Sequence, residues 1–385
     1  MAGAAVWGVD RYRAETVPSP HRKRRAEKSP TMRPIPGISQ EAWQIHEHSI
    51  VIDLHADTLF LVFLLRYRME KRHRNPFPSS PFIGHVDIPR LRQGGVTAIG
   101  FTVPAVPAKI LRPGATIQKA IDRAVRWSST VHTQLRLART AADILEAREK
   151  GIPSFFLTLE GSHAIQCRPG EVAGFKKSGL TSIGLAHLTR SDAAYSNRRA
   201  RWSERALPKL GYTLIEQMEA ARLIVDLAHM ASRSFLDAVG HCKRPPIVSH
   251  TGFRSVKPMW RNISDYEAKR VAEKGGVLGV IFYPGYLTTS RDHSLECVMQ
   301  NIRYLLHLVG DDFIGLGSDF DGWVSSMPGD MRDVSEIPRL TDRMLREGIP
   351  IDSVRKILGG NALRVIREVC DGGSTGSDGR QTVSG

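Results

Sequence analysis

Val51-Ile52-Asp53-Leu54-His55-Ala56-Asp57 is an apolar run closed by an imidazole and a carboxylate. In a strand, side chains two positions apart share a face, so His55 and Asp57 are expected to project into the same space. That pair is a natural start for a divalent metal site. A lone His-x-Asp string is weak evidence, but other short apolar runs end in the same manner. The run 154–160 closes on Glu160, 181–187 on His187, 223–229 on His229, 246–250 on His250 and 313–319 on Asp319. With 96–103 and 277–283 these make eight expected strands.

Helical patterns lie between most of them. Ile117, Ile121, Ala124, Val125 and Val131 recur at helical spacing over 115–137, and shorter patterns cover 212–222 and 232–239. Ser264 and Glu267 form an expected capping box before 268–274, with Gly275 and Gly276 as the stop. Helices are also expected over 295–309 and 336–346. This alternation predicts an α/β fold, a TIM-type (β/α)8 barrel, with an open doubly wound sheet as the second choice. In a barrel the C-terminal strand ends meet around one mouth, which places the metal site there. No internal repeat is visible.

Bulk properties agree. The 385 residues are many for one domain but suit a barrel, which often exceeds ~250 residues. No apolar run reaches the ~18 residues of a membrane helix. Residues 2–9 are too short for a signal peptide, and no apolar segment follows Arg24-Arg25. The four cysteines, Cys167, Cys242, Cys297 and Cys370, have no paired spacing and read as reduced thiols of a cytoplasmic protein. Three segments are expected: a basic, Pro-rich, disordered extension over 1–38, the barrel over 39–370, and a Gly- and Ser-rich flexible tail over 371–385. The net charge of +15 raises the question of nucleic acid, but no aromatic-plus-basic recognition pattern accompanies it, so no specific nucleic-acid partner is expected. A membrane anchor is not expected either, and a homodimer is compatible with these features.

Histidine nitrogen and carboxylate oxygen without thiolate suit zinc, manganese or iron in a hydrolytic site. His55, Asp57, Glu160, His229 and His250 are too many ligands for one open catalytic ion. They suit two, about 3.5–4 Å apart, sharing a hydroxide, with Glu160 as the bridge. Asp319 is then the proton shuttle and His187 a donor to the developing oxyanion.

These residues resemble a known family. Val51-Ile52-Asp53-Leu54-His55-Ala56-Asp57-Thr58, Leu159-Glu160-Gly161, Asp226-Leu227-Ala228-His229, Ser249-His250, Arg261-Asn262-Ile263 and Gly317-Ser318-Asp319-Phe320-Asp321-Gly322 look like the membrane (renal) dipeptidase family of zinc peptidases, over about 38–369. The resemblance implies a barrel related to the metal-dependent amidohydrolases, two Zn2+ ions, and hydrolysis of dipeptides, often with a D-residue at the C-terminal position. It implies His55, Asp57 and Glu160 on one zinc and Glu160, His229 and His250 on the other. By the same likeness His187, Arg261 and Tyr283 bind substrate and Asp319 is the acid/base. A guanidinium fork at Arg261 also matches a terminal carboxylate on physical grounds; the competing reading pairs it with Asp265. The loop 188–199 and the string Met218-Glu219-Ala220-Ala221-Arg222 depart from the family pattern. The metal shell is therefore better supported than the substrate, and a bacterial-type intracellular member is the expectation.

Other polar residues read more blandly. His163 is expected in a loop, and His85, His132, His241, His293 and His307 on the surface. Asp53 either orients a ligand or is a satisfied polar residue of the barrel floor. Asp226 is expected to bond backbone, and Asp321 to be a second acid or a turn residue. The remaining alternatives are a binding protein on the same barrel, a basic nucleic-acid-associated protein, and a two-metal amidohydrolase acting on N-acyl amino acids, lactones or another small amide.

Overall fold

The computed structural model describes residues 35–73, 84–104, 113–165, 169–188, 191–324 and 326–371. Most of the expected N-terminal extension, the tail beyond Asp371, and Cys167 lie outside these. Among the described residues nine strands follow in chain order: β1 Ile52–Ala56, β2 Ala98–Thr102, β3 Arg136–Leu137, β4 Ser154–Leu159, β5 Leu180–Gly184, β6 Ile224–Asp226, β7 Ile247–Thr251, β8 Val277–Val280 and β9 Ile314–Leu316. All pair in parallel. The ring runs β1-β2-β4-β5-β6-β7-β8-β9 and closes on β1, a (β/α)8 barrel. Closure excludes the open sheet. All eight expected strands are present. The extra one, β3, pairs only with Ser154 and Phe155 at the foot of β4.

Helices of the outer layer include Pro113–Val131, Lys209–Ala220, Ser232–His241, Asp265–Glu273, Glu296–Val309 and Pro338–Arg346. The first stops short of the expected 137 because the chain turns into β3. The expected capping box is complete: Glu267 N donates to Ser264 Oγ at 3.3 Å and Ser264 N to Glu267 Oε2 at 2.6 Å. Such a cap contributes about 1 kcal/mol. Gly275 ends that helix at φ +71°, a conformation glycine adopts without steric cost. Among the described residues no helix is long and apolar enough to cross a membrane.

The strands are buried along their whole length, except β3, as expected when helices cover a parallel sheet. Ile52, Ala98, Ile224, Ile247 and Val277 open β1, β2, β6, β7 and β8 and pack with Ala362, Val365 and Ile366. The helix Asn361–Ile366 thus seals the N-terminal end of the barrel, leaving the C-terminal end for chemistry. The sheet is tight around Ser249, whose carbonyl oxygen lies 2.0 Å and 1.8 Å from where a Cβ would stand on Gly279 and Gly317.

Two seams are thinly laddered. The named strands β1 and β9 share one register pair, Asp53↔Leu316, and β6 and β7 share one, Asp226↔Ile247. A buried side-chain carboxylate accepts from backbone N–H groups at each. Asp53 Oδ1 accepts from His55 N at 3.2 Å and Ser318 N at 2.9 Å. Asp226 Oδ1 accepts from Ala228 N and Ser249 N, both at 3.0 Å.

Candidate metal centre

The polar residues expected at the strand ends converge on one cavity of about 290 Å3 at the C-terminal mouth, lined in part by Asp57, Glu160, His187, His229, His250, Arg261 and Asp319. Most lie beyond the ladders. Glu160 directly follows β4, His187 and His229 sit three residues after β5 and β6, Asp319 three after β9, and only His55 and His250 are within strands. His229 and Asp319 take left-handed backbones, φ 65° and 62°. Such turns at non-glycine positions cost free energy and aim a side chain back over the mouth. The His55/Asp57 pair also arises differently from simple alternation. A register shift between Asp53 and Ala56 interrupts the β1–β2 ladder, and Asp57 is the N-cap of helix Thr58–Leu64. The two side chains nevertheless meet, His55 Nε2 to Asp57 Oδ2 at 4.0 Å.

Glu160 is the hub. Its Oε1 lies 2.8 Å from His229 Nε2, 3.5 Å from His250 Nε2 and 3.9 Å from His55 Nε2, while Oε2 lies 3.3 Å from His187 Nε2. His55 Nε2 is also 3.8 Å from Asp319 Oδ1. Three sets of potential ligand atoms are compact enough for a cation: His55, Glu160 and His250; Glu160, His187 and His229; and His55, Asp57 and Asp319. These sets place Asp319 beside Asp57 and His187 beside Glu160, while His55 lies 4.0 Å from Asp57 and 3.9 Å from Glu160, its expected companions.

The donor set fits divalent metal on two further counts. Among the described residues His55 Nε2 and Asp57 Oδ1 are buried without a hydrogen-bond partner, and an unpaired buried polar atom is costly unless something binds it. The charges are also mutually frustrated. Burial, then Glu160, pushes the carboxyl groups of Asp57 and Asp319 well above their ordinary range. Glu160 goes the other way: burial opposes ionisation, but His187, His229, His250 and His55 hold it well below the carboxylate norm. Burial, then Arg261, brings His229 down to about 3, and burial also lowers His55 and His250. Neutral imidazoles are free to ligate, and a bound divalent cation would relieve the crowding of the acids by favouring their ionised forms.

Arg261 is 1% exposed. Its Nη2 donates to His250 O at 2.8 Å, whereas Nη1 has no partner among the described residues. It does not pair with Asp265, whose carboxylate instead accepts from Ser255 Oγ. Tyr283 lines the cavity, as expected, with Tyr286, Phe60 and Trp323, which sequence reasoning missed. These three sit on a short helix or irregular turns, where no periodicity points to a shared wall. Asn197, in the divergent loop, was missed as well. Its N donates to His229 O at 2.8 Å and its Nδ2 to Arg261 O at 3.2 Å, so this loop braces both.

One expectation fails. His85 is not a surface group but 3% exposed, with Nδ1 2.9 Å from Asp321 Oδ1. Asp321 in turn accepts from Thr58 Oγ1 at 2.7 Å and His85 N at 2.6 Å, which ties the Asp319 turn to the residue after Asp57. Asp321 is therefore fully engaged with protein groups and does not line the cavity. His132, His293 and His307 are exposed and His241 is half-buried, while half-buried His163 stacks 6.4 Å from His187.

The comparisons with known proteins agree with this geometry. The membrane dipeptidase family (peptidase family M19) matches residues 39–375. Dipeptidase tcpJ of Claviceps purpurea is 29% identical over 309 residues, covering 76% of this chain and 71% of its own. An amidohydrolase structure from Pseudomonas aeruginosa has a TM-score of 0.72 at 25% identity, over 86% of this chain and 99% of its own. A metallopeptidase from Rhodobacter sphaeroides, solved with a phosphinate mimic of the dipeptide L-Ala-D-Ala, has the same fold, TM-score 0.72 at 22% identity over 83% and 99%. Barrel, acid–imidazole cluster and family match thus converge: the chain belongs to the membrane dipeptidase family and is a divalent-metal-dependent hydrolase.

Proposed function

We propose that this protein hydrolyses dipeptides with two zinc ions held by His55, Asp57, Glu160, His229 and His250, and that it tolerates a D-residue at the C-terminal position. The observation that supports this most is the position of Glu160, one carboxylate facing His229, His250 and His55 at once. A pair of bound ions supplies water acidified toward neutral pH and polarisation of the scissile carbonyl. The chain's own groups do the rest. Arg261 offers its unpartnered Nη1 to the substrate's terminal carboxylate, which confines the enzyme to short substrates. Asp319, 3.8 Å from His55 Nε2, takes a proton from the nucleophile and returns it to the leaving amine. His187, on the open side of Glu160, donates to the oxyanion as it forms. Tyr283 holds the substrate's flank. The cavity, near the small end of ligand pockets, suits a dipeptide. The relative named a dipeptidase supports the same substrate class. A cytoplasmic location belongs to the proposal and is supported by Cys242, Cys297 and Cys370, all buried as free thiols.

The alternative substrates, N-acyl amino acids, lactones or another small amide, gain support from the exposed apolar side chains of Leu188 and Trp323 at the cavity wall. Elemental analysis of purified protein followed by turnover of L-L, L-D and N-acyl substrates separates these readings. Zinc-loaded protein that cleaves none of the dipeptides overturns the proposal.

A further inference from the structure

The turn that carries Asp319 repeats one strained conformation. Asp319, Asp321 and Trp323 take left-handed φ values of 62°, 64° and 60°, every second residue. Such backbone costs a non-glycine residue free energy, so three in one turn persist only where their surroundings hold them. Backbone bonds to β1 hold the near half: Asp319 N donates to His55 O at 3.2 Å and Asp57 N to Phe320 O at 2.8 Å. The buried side chain of Asp321 holds the far half. Its Oδ2 accepts from Thr58 Oγ1 at 2.7 Å, at the start of the helix that follows Asp57. Its Oδ1 accepts from His85 N at 2.6 Å. His85 is itself fixed. Val334 N donates to its carbonyl at 3.2 Å, and buried Arg90 donates from Nη2 to Gly84 O at 2.7 Å and from Nε to Asp87 Oδ2 at 2.8 Å.

Gly322 adds a second constraint. Its backbone lies outside the left-handed region, so its own conformation does not call for glycine. A Cβ there would instead overlap Asp319 Oδ1 and stand 2.7 Å from Asp319 Cγ. The Asp319 carboxylate folds back into the space that a side chain at 322 would fill, and from there Oδ1 lies 3.8 Å from His55 Nε2.

We propose that Asp321 and Gly322 aim the Asp319 carboxylate, Asp321 by clasping the turn to Thr58 and His85 and Gly322 by leaving room for it. Both are positioning residues. The inference rests on the reading of Asp319 as the proton shuttle. It follows from where the strain sits: a turn that would relax if released keeps its one reacting group in place only while the clasp holds.

The test uses full-length protein, metal-stripped and reloaded with Zn2+, and the dipeptide of the L-L and L-D panel that wild type cleaves fastest. Thr58→Val removes the hydroxyl and keeps the shape. Its kcat is expected to fall ~10–100-fold, the cost of a displaced reacting group, with KM and zinc content as in wild type. Thr58→Ser keeps the hydroxyl and most of the rate. Gly322→Ala pushes the carboxylate directly and lowers kcat ~100-fold. Neither Thr58→Val nor Gly322→Ala slows Asp319→Asn further, because the group they misplace is already gone. Crystal structures of the zinc-loaded proteins give a readout without turnover. Asp319 Oδ1 leaves its place beside His55 in Thr58→Val and Gly322→Ala and keeps it in Thr58→Ser.

An unmoved carboxylate, an unchanged kcat, a rise in KM alone, or a further loss on top of Asp319→Asn overturns the inference. So does zinc lost from Thr58→Val, which assigns the clasp to Asp57, and a lowered Tm with kcat intact, which makes it a device for stability alone. Should Gly322→Ala not fold, the two Thr58 variants decide. A fully active Asp319→Asn, or a wild type that cleaves no dipeptide, is a separate failure, that of the proposed mechanism; the carboxylate positions then still decide what aims Asp319.

Discussion

At the scale of single residues, the site was legible where chemistry and strand ends coincide. His55, Glu160, His229, His250 and Asp319 stand out because each closes an apolar run where the strand ends of a barrel meet. Their aim was less legible. The left-handed turns at His229 and Asp319 and the register shift before Ala56 depend on neighbouring strands, which local pattern does not contain. His85 was misread for the same reason, since its partner Asp321 is remote in sequence. Substitutions separate the proposed roles. His55→Ala is expected to lose metal, measured by elemental analysis. Asp319→Asn should keep metal and lose ~10²–10⁴-fold in kcat, the usual reach of a general acid–base; an active Asp319→Asn enzyme removes that residue from the mechanism. Arg261→Lys loses the planar fork, and KM for dipeptides should rise ~10–100-fold, from about 1.5–3 kcal/mol in one charged hydrogen bond. A fall in kcat with KM unchanged would contradict a carboxylate-binding role.

At the scale of elements, apolar runs located every barrel strand but overstated the lengths of all except β7. The ladders stop early, as at Asp226 and Leu316, while the chain stays buried past the last register pair. Two-residue β3 is too short for any period to show. Close approach matters as much as pattern. Gly317→Ala would drive a methyl into the Ser249 carbonyl, and a loss of roughly 2 kcal/mol or more is expected in denaturant unfolding. Helix docking has a pH signature. His46, on Gln40–His48, is wholly buried, bonding Thr341 Oγ1 at 2.7 Å and Gly94 O at 2.9 Å, and burial brings it down to about 4. The folded state therefore binds this proton more weakly than the unfolded chain does. The benefit is full above the ordinary histidine range and is lost as pH falls from about 6.5 toward 4, by ~3 kcal/mol in all. Unfolding free energies across that window should flatten in His46→Gln; a slope unchanged by the substitution assigns the effect elsewhere.

At the scale of the whole molecule, one closed sheet brings together groups that lie far apart in the chain, and the closing seam β1–β9 runs beside the site. Metal and fold are therefore coupled. Saturating zinc, at ~100 times its dissociation constant, should stabilise the native state by about 2.7 kcal/mol, on the order of 5 °C in Tm. Calorimetry with and without chelator checks this, and identical transitions would show that the pocket does not bind the ion. Asp57 and Asp319 carry a chemical consequence of their own. Burial, then Glu160, raises both carboxyls well above their ordinary range, so each holds a proton more tightly than a free side chain does. Each ion that enters evicts hydrogen ions to the bulk, so charging the apoprotein in a weak buffer should acidify the solution, and zinc should be gripped harder as the medium turns alkaline.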